Sequence, residues 1–279
     1  MKQNLPGRKS VINLNGLMGF IFGALAAVCL SSCCAPGPSA PPGGGRETLA
    51  QVSTLDALLV GAYGGQITYG ELKRFGDFGL GTFDSLDGEM VAVDGDFYQI
   101  RYDGKVYPVS DSMTTPFAAV TFFDYDRKIE LPEGTDYESL RKIVDGAIPT
   151  PNLFYAIRLD GVFSYLKTRS VPPQKKPYPP LVEVTKEQPE FEFENVTGTI
   201  VGFRCPPFVQ GINLAGYHLH FLSEDKTGGG HVLVFSLKEG VISLDTTADF
   251  YLMLPESNGT FFSADFSRNR EEDTRKAED

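Results

Sequence analysis

All three histidines of this chain fall between residues 218 and 231, and nothing else in the sequence restricts the fold so tightly. Tyr217 to Leu222 has the composition of a strand, and His231 to Leu237 reads as a second one. The polar loop between them ends in Gly228-Gly229-Gly230, which predicts a hairpin with a longer turn. Side chains alternate faces along a strand, so His218 and His220 point the same way, and the return strand can bring His231 beside them. Three imidazoles on one face offer nitrogen ligands to Zn²⁺ or a similar divalent ion, leaving positions open for water, a carboxylate or a substrate. The spacing alone does not choose between zinc, iron, manganese and nickel.

The N-terminus belongs to a different kind of segment. Lys2, Arg8 and Lys9 make a basic start, Leu17 to Leu30 is a short apolar run, and small residues follow. That order predicts a secretion signal over residues 1–33, shorter than a membrane-spanning helix requires. Leu30-Ser31-Ser32-Cys33 resembles the lipobox of bacterial lipoproteins. The resemblance implies cleavage before Cys33, acylation of that cysteine, and a protein anchored to a membrane outside the cytoplasm. Residues 34–50 begin with a run of Pro, Gly, Ser and Ala and read as a flexible tether. Beyond it the only cysteine is Cys205, so no disulfide can form within the folded part.

The rest is expected to be an α/β (α+β) protein with two β-rich domains of mixed sheet and few helices. Helices are predicted over Val52–Leu59, Thr68–Phe75 and Tyr137–Gly146. Strands Glu89–Val93 and Asp96–Tyr102 flank the turn signal Asp94-Gly95. Phe154–Leu159 and Val162–Thr168 are expected to form a hairpin around Asp160-Gly161. The proline-rich stretch Val171–Pro180 places a boundary between an N-terminal α/β domain, 51–172, and a C-terminal metal-binding domain, 173–279. The histidine hairpin is then expected at the domain interface. Gly240–Leu244 and Asp249–Leu254 are further strands, and Arg268–Asp279 reads as a solvated or frayed terminal helix. A formal net charge of −11 with scattered Lys and Arg argues against nucleic acid as a partner.

A divalent ion on three imidazoles is a Lewis acid. It can hold a hydroxyl and a carbonyl of one small substrate and stabilise an enediolate, or activate water. His-Glu-x-x-His, Gly-x-Ser-x-Gly and a phosphate-binding glycine loop with Lys are all missing from the sequence, which leaves zincin-type proteolysis unsupported. Six segments carry a more specific signal: Gly76-Asp77-Phe78-Gly79-Leu80-Gly81-Thr82-Phe83, Leu86-Asp87-Gly88-Glu89, Thr115-Pro116-Phe117-Ala118, Phe154-Tyr155-Ala156-Ile157-Arg158, Lys167-Thr168-Arg169-Ser170 and Gly216-Tyr217-His218-Leu219-His220-Phe221. In this order, from about Val52 onward, the chain resembles the α-acetolactate decarboxylases.

The resemblance implies a zinc enzyme, commonly a dimer, that converts 2-acetolactate to acetoin and CO₂ through a metal-stabilised enediolate. It implies that His218, His220 and His231 hold the zinc, that Glu89 and Arg169 are catalytic, and that Thr82 and Arg169 touch the substrate. A second glutamate of the family lies in its C-terminal tail, for which Glu278 is the candidate and Glu256 the fallback. Two other functions would use the same hairpin: a non-catalytic metal-binding lipoprotein, or a related metal-enolate enzyme acting on another keto or hydroxy acid. The first would have no use for Glu89 or Arg169.

Overall fold

The computed structural model describes residues 45–256 and 259–278; the secretion signal, Cys33 and most of the tether lie outside them. In chain order the elements begin with β1 (Thr48–Val52), α1 (Leu55–Leu59), β2 (Ile67–Thr68), α2 (Tyr69–Leu72) and β3 (Phe78–Thr82). They continue with β4 (Glu89–Val93), β5 (Asp96–Ile100), β6 (Val106–Pro108), β7 (Thr114–Thr115), β8 (Ala118–Thr121) and β9 (Arg127–Leu131). After α3 (Tyr137–Ala147) come β10 (Phe154–Arg169), α4 (Leu181–Val184), β11 (Glu190–Cys205) and β12 (Gly216–Ser223). The chain closes with β13 (Gly229–Thr247), β14 (Asp249–Met253), α5 (Thr260–Ser263) and α6 (Glu271–Glu278).

The described chain is β-rich with few helices, as its alternating apolar patterns and frequent turn signals predict. A seven-stranded mixed sheet has the order β14-β1-β8-β3-β4-β5-β6. Its one parallel pair is β1 with β14; the rest are antiparallel. A five-stranded antiparallel sheet has the order β10-β11-β12-β13-β9, and β10 also pairs with β13, so four of its strands close on one another.

Local chemistry accounts for several of these elements. Thr54 caps α1, its hydroxyl accepting from Ala57 N at 3.2 Å. Thr68 and Glu71 form a reciprocal capping box on α2, the arrangement that satisfies two otherwise orphaned donors. Asp94 and Gly95, both at positive φ, make the tight turn between β4 and β5 that an Asp-Gly pair favours. Asp136 caps α3, which buries Leu140 and Val144 against the second sheet.

Other readings are corrected. Phe154–Leu159 and Val162–Thr168 are not a hairpin: β10 runs unbroken for 16 residues through Asp160-Gly161. Gly161 is there for closeness rather than for turning, since a Cβ on it would lie 2.5 Å from Glu239 O across the β10–β13 pairing. Gly240 sits opposite it in register, and the strands expected before and after Gly240 are likewise one, β13. The tether boundary at residue 50 falls inside β1, where Thr48, Leu49 and Ala50 are buried. Nor do the sheets divide at residue 172. β9 and β10 precede that point yet belong to the second sheet, while β14 returns from the C-terminal side to pair with β1. Backbone pairing, not the proline-rich stretch, decides which layer each segment joins.

Candidate metal centre and active site

The hairpin predicted from the histidines forms between β12 and β13, with His220 directly opposite His231. Arg169, the last residue of β10, pairs in turn with His231. Arg169, His231 and His220 thus form a row across three neighbouring strands, and His218 joins them two residues before His220, as the alternation of side chains requires. The ring centroids lie 5.0, 5.0 and 5.4 Å apart. One nitrogen from each of the three rings falls within 4.8 Å of the others, and all three residues are buried.

The other wall comes from the seven-stranded sheet. Thr82 at the end of β3 is directly opposite Glu89 at the start of β4. Glu89 Oε2 lies 3.5 Å from His220 Nε2. His220 Nδ1 donates to Met90 O at 2.9 Å, which leaves Nε2 as the free lone pair on the site side. The Thr82 hydroxyl donates to Gly88 O at 2.7 Å, so its proton holds the approach to Glu89 and only its acceptor capacity remains for a ligand.

The third contribution is the C-terminal helix. Glu278 Oε2 lies 3.6 Å from His218 Nε2 and 3.8 Å from His231 Nδ1. The backbone carbonyl of the same residue accepts from His231 Nε2 at 3.1 Å, so His231 presents Nδ1. Glu256 is exposed just past β14 and is not in the pocket wall. The tail read as solvated buries Ala277 and seats Glu278 against the histidines; its contacts are with distant segments and leave no periodicity in the tail itself.

Arg169 spans the two carboxylates. Its Nη1 is 3.9 Å from Glu89 Oε1 and its Nη2 is 3.7 Å from Glu278 Oε2, both longer than hydrogen bonds. Nη2 instead donates to Ala277 O at 2.6 Å. Leu55, Leu58, Leu86, Phe117, Val171 and Leu181 complete the pocket, so its charges sit in an apolar surround. Sequence reading missed these walls, the Met90 carbonyl and the Ala277 carbonyl. Arg158, by contrast, pairs with Asp94 and Asp160 away from the site.

Burial shifts the titrating groups. The His218 imidazole is pushed down to about 3 by burial and the nearby Arg169 cation. His220 and His231 are held well below the ordinary imidazole range, by burial first and then by Arg169 and the neighbouring imidazoles. Burial raises Glu89 to about 7, with Arg169 opposing and Glu278 adding to the rise; Glu278 is raised by burial against Arg169.

The donor set fits a divalent ion. His220 Nε2 and His218 Nδ1 are buried without a hydrogen-bond partner, an arrangement that normally marks an absent ligand. Neutral imidazoles with carboxylates alongside are the ligands zinc takes. Two formal carboxylate charges against one guanidinium leave the pocket short of positive charge, which a dication supplies.

A prediction for the metal-free protein follows with its sign. Depressed imidazoles stay neutral in the native state while the unfolded chain takes up protons below about 6.5, so they withdraw stability as pH falls. The raised carboxyls act oppositely, binding protons in the native state between their folded values and the unfolded value of 4.5. Below about pH 4.5 the histidine term is the one that persists among the groups of the site, and it is expected to withdraw up to about 1.4 kcal/mol per pH unit for each imidazole, beside the loss from exposed carboxylates held low elsewhere, such as Asp136 and Asp225. Urea midpoints against pH measure the drop. Imidazole NMR showing protonated His218 in the folded protein at pH 5.5 would refute its cause.

Two sheets facing each other across a buried three-histidine centre, with two carboxylates and a guanidinium in one pocket, make an arrangement of the metalloenzyme type that could hold a divalent ion. A sequence profile described as alpha-acetolactate decarboxylase matches residues 49–268. The chain belongs to that family and is an enzyme of that kind. It is 51% identical over 228 residues to the alpha-acetolactate decarboxylase of Methylococcus capsulatus, covering 82% of this chain and 87% of the relative. The Methanosarcina mazei protein of the same name is 50% identical, with 83% and 80% covered. The solved alpha-acetolactate decarboxylase of Bacillus subtilis strain 168 superposes with a TM-score of 0.81 at 41% identity, over 83% of this chain and 99% of that one.

Proposed function

We propose that the protein is a zinc-dependent decarboxylase converting 2-acetolactate to acetoin and CO₂. The observation that carries this reading is the convergence, in one buried pocket, of three imidazoles, two of them with a nitrogen lacking any hydrogen-bond partner, and the Glu89–Arg169–Glu278 set. His218, His220 and His231 would hold the ion. Zinc, when bound, supplies a Lewis acid for the hydroxyl and ketone oxygens of the substrate.

The chain's own residues supply the rest. Arg169 Nε–H is buried without a partner and is available to a substrate carboxylate, for which a guanidinium is the best-shaped cation. The bond from the tertiary carbon to CO₂ breaks, its electron pair passes to the ketone oxygen, and a proton must then reach that carbon. Glu89 lies 3.5 Å from His220 Nε2 in the pocket wall and, as a carboxyl group, can carry a proton to that carbon. Glu278 lies across the site and can serve the opposite face. The apolar wall excludes bulk water, which strengthens each of these interactions. Incubation of the zinc-loaded protein with acetolactate, assayed for acetoin before and after chelation, tests the reading. A fully loaded protein that forms no acetoin would favour a non-catalytic metal-binding role.

We further propose that the mature protein is a lipoprotein acylated at Cys33 and acts outside the cytoplasm, and that it pairs as a homodimer. The apolar run ending in Leu30-Ser31-Ser32-Cys33 supports the first; family resemblance supports the second. Cys33→Ser is expected to block processing or move the protein to the soluble fraction, since stable anchoring depends on the acyl chains. Normal processing with an unchanged membrane fraction would rule acylation out.

A further inference from the structure

Glu278 is held from a distance. Arg270, the residue before α6, lies 3.7 Å from Asp56 Oδ2 on α1, and the two side chains are only 10% and 13% exposed. The same guanidinium donates to Asp265 O at 2.5 Å and Arg268 O at 3.3 Å, tying α1 to the turn that launches α6. The Asp56 backbone N–H donates to Gly211 O at 3.0 Å, so the acceptor is itself fixed. Other ion pairs of the tail, Arg268 with Asp265 and Lys276 with Glu272, are largely exposed and of the kind that contributes little.

An eight-residue helix is marginal in water by itself. This one is polar apart from Ala277, which packs in the cluster with Leu55, Leu58, Leu181 and Val184. It is therefore pinned at two ends about 12 Å apart: by Arg270 on α1, and by Ala277 and Glu278 at the metal pocket. Glu278 also lines a neighbouring cavity of about 440 Å³, beside Tyr217 and Val232.

We propose that Asp56 and Arg270 are a positioning pair that sets the register of α6, and through it the Glu278 carboxylate, the tautomer of His231 and the Ala277 carbonyl on Arg169. Neither residue lines the metal pocket. The kinetic consequence rests on the decarboxylase reading; the structural one does not.

The test uses the full chain loaded with zinc for kinetics and with cobalt(II) for visible spectra, which report the geometry of the donor set. Arg270→Ala and Asp56→Asn are each expected to lower kcat about 10- to 100-fold with KM little changed, since misplacing a site group by about 1 Å has that scale of effect. Their cobalt spectra should move to that of Glu278→Gln. Arg270→Lys, which keeps the cation, should retain most of kcat and the parent spectrum, and Lys276→Ala, on the exposed face of α6, should change neither. Parent kcat and spectrum in both Arg270→Ala and Asp56→Asn would overturn the proposal. If the parent protein forms no acetoin, the decarboxylase reading fails by itself. The spectra then decide alone: a match to Glu278→Gln upholds the pair, and a parent spectrum overturns it. Should Arg270→Ala not fold, Asp56→Asn and Arg270→Lys carry the same comparison.

Discussion

Replacing His218 or His231 by alanine is expected to remove stoichiometric zinc and decarboxylation together. The site has three imidazoles and no other nitrogen ligand within reach, and three protein ligands are the usual minimum for a catalytic zinc. The loss of a Lewis acid worth several kcal/mol to the transition state lowers the rate by about 10³-fold or more. His231→Ala has a second effect, because its Nε2 also holds the Glu278 carbonyl and the tail loses that anchor. His220 is tied to Met90 O, and His220→Ala would leave a buried acceptor unpaired as well as a ligand short, so it is the less clean variant. Metal content by mass spectrometry, read beside acetoin formation, checks the expectation. Full zinc occupancy in either His218→Ala or His231→Ala would mean that the metal sits elsewhere.

Arg169→Lys is expected to keep zinc and fold but to lower kcat/KM for acetolactate roughly 10- to 1000-fold, a loss of about 1.4–4 kcal/mol of transition-state interaction. Arg169 lies on a strand directly beside His231, one nitrogen is committed to Ala277 O, and its contacts to Glu89 and Glu278 are long. The guanidinium is therefore positioned without being used up. Lysine keeps the charge but has no planar fork to serve the Ala277 carbonyl and a substrate carboxylate at once. Arg169→Ala should cost more, because it also leaves two buried carboxylates facing each other with no cation except the metal. A protein that only stored zinc would tolerate both changes, since a cation beside a divalent ion weakens binding. Parent-level turnover in both variants would remove Arg169 from the reaction.

The convergence of the three histidines was legible in the sequence because it is local. His218 and His220 share a strand face by simple alternation, and a glycine-ended loop returns the chain to bring up His231. Glu89, Arg169 and Thr82 are suggested by segments that resemble a family, not by spacing, since each comes from a different strand. Glu278 could be named only as the better of two tail glutamates. Nothing in the polar, mixed-charge composition of residues 268–279 signals that Ala277 packs against Leu55 and Leu181.

Turn chemistry divides in the same way. Asp94-Gly95 makes a turn because both residues take positive φ in a short hairpin, a preference written in the dipeptide itself. Asp160-Gly161 has the same letters and makes none, because Gly161 is needed where β10 and β13 approach too closely for a Cβ. The sequence by itself determined the caps, the short hairpin turn and the shared face of His218 and His220, all of which depend on residues within a few positions of one another. Only the tertiary structure decided the unbroken length of β10 and β13, the pairing of β1 with β14, and the seating of Glu278. Each of those rests on contacts between segments far apart in the chain, whose free energy comes from burial and backbone pairing that no local pattern encodes.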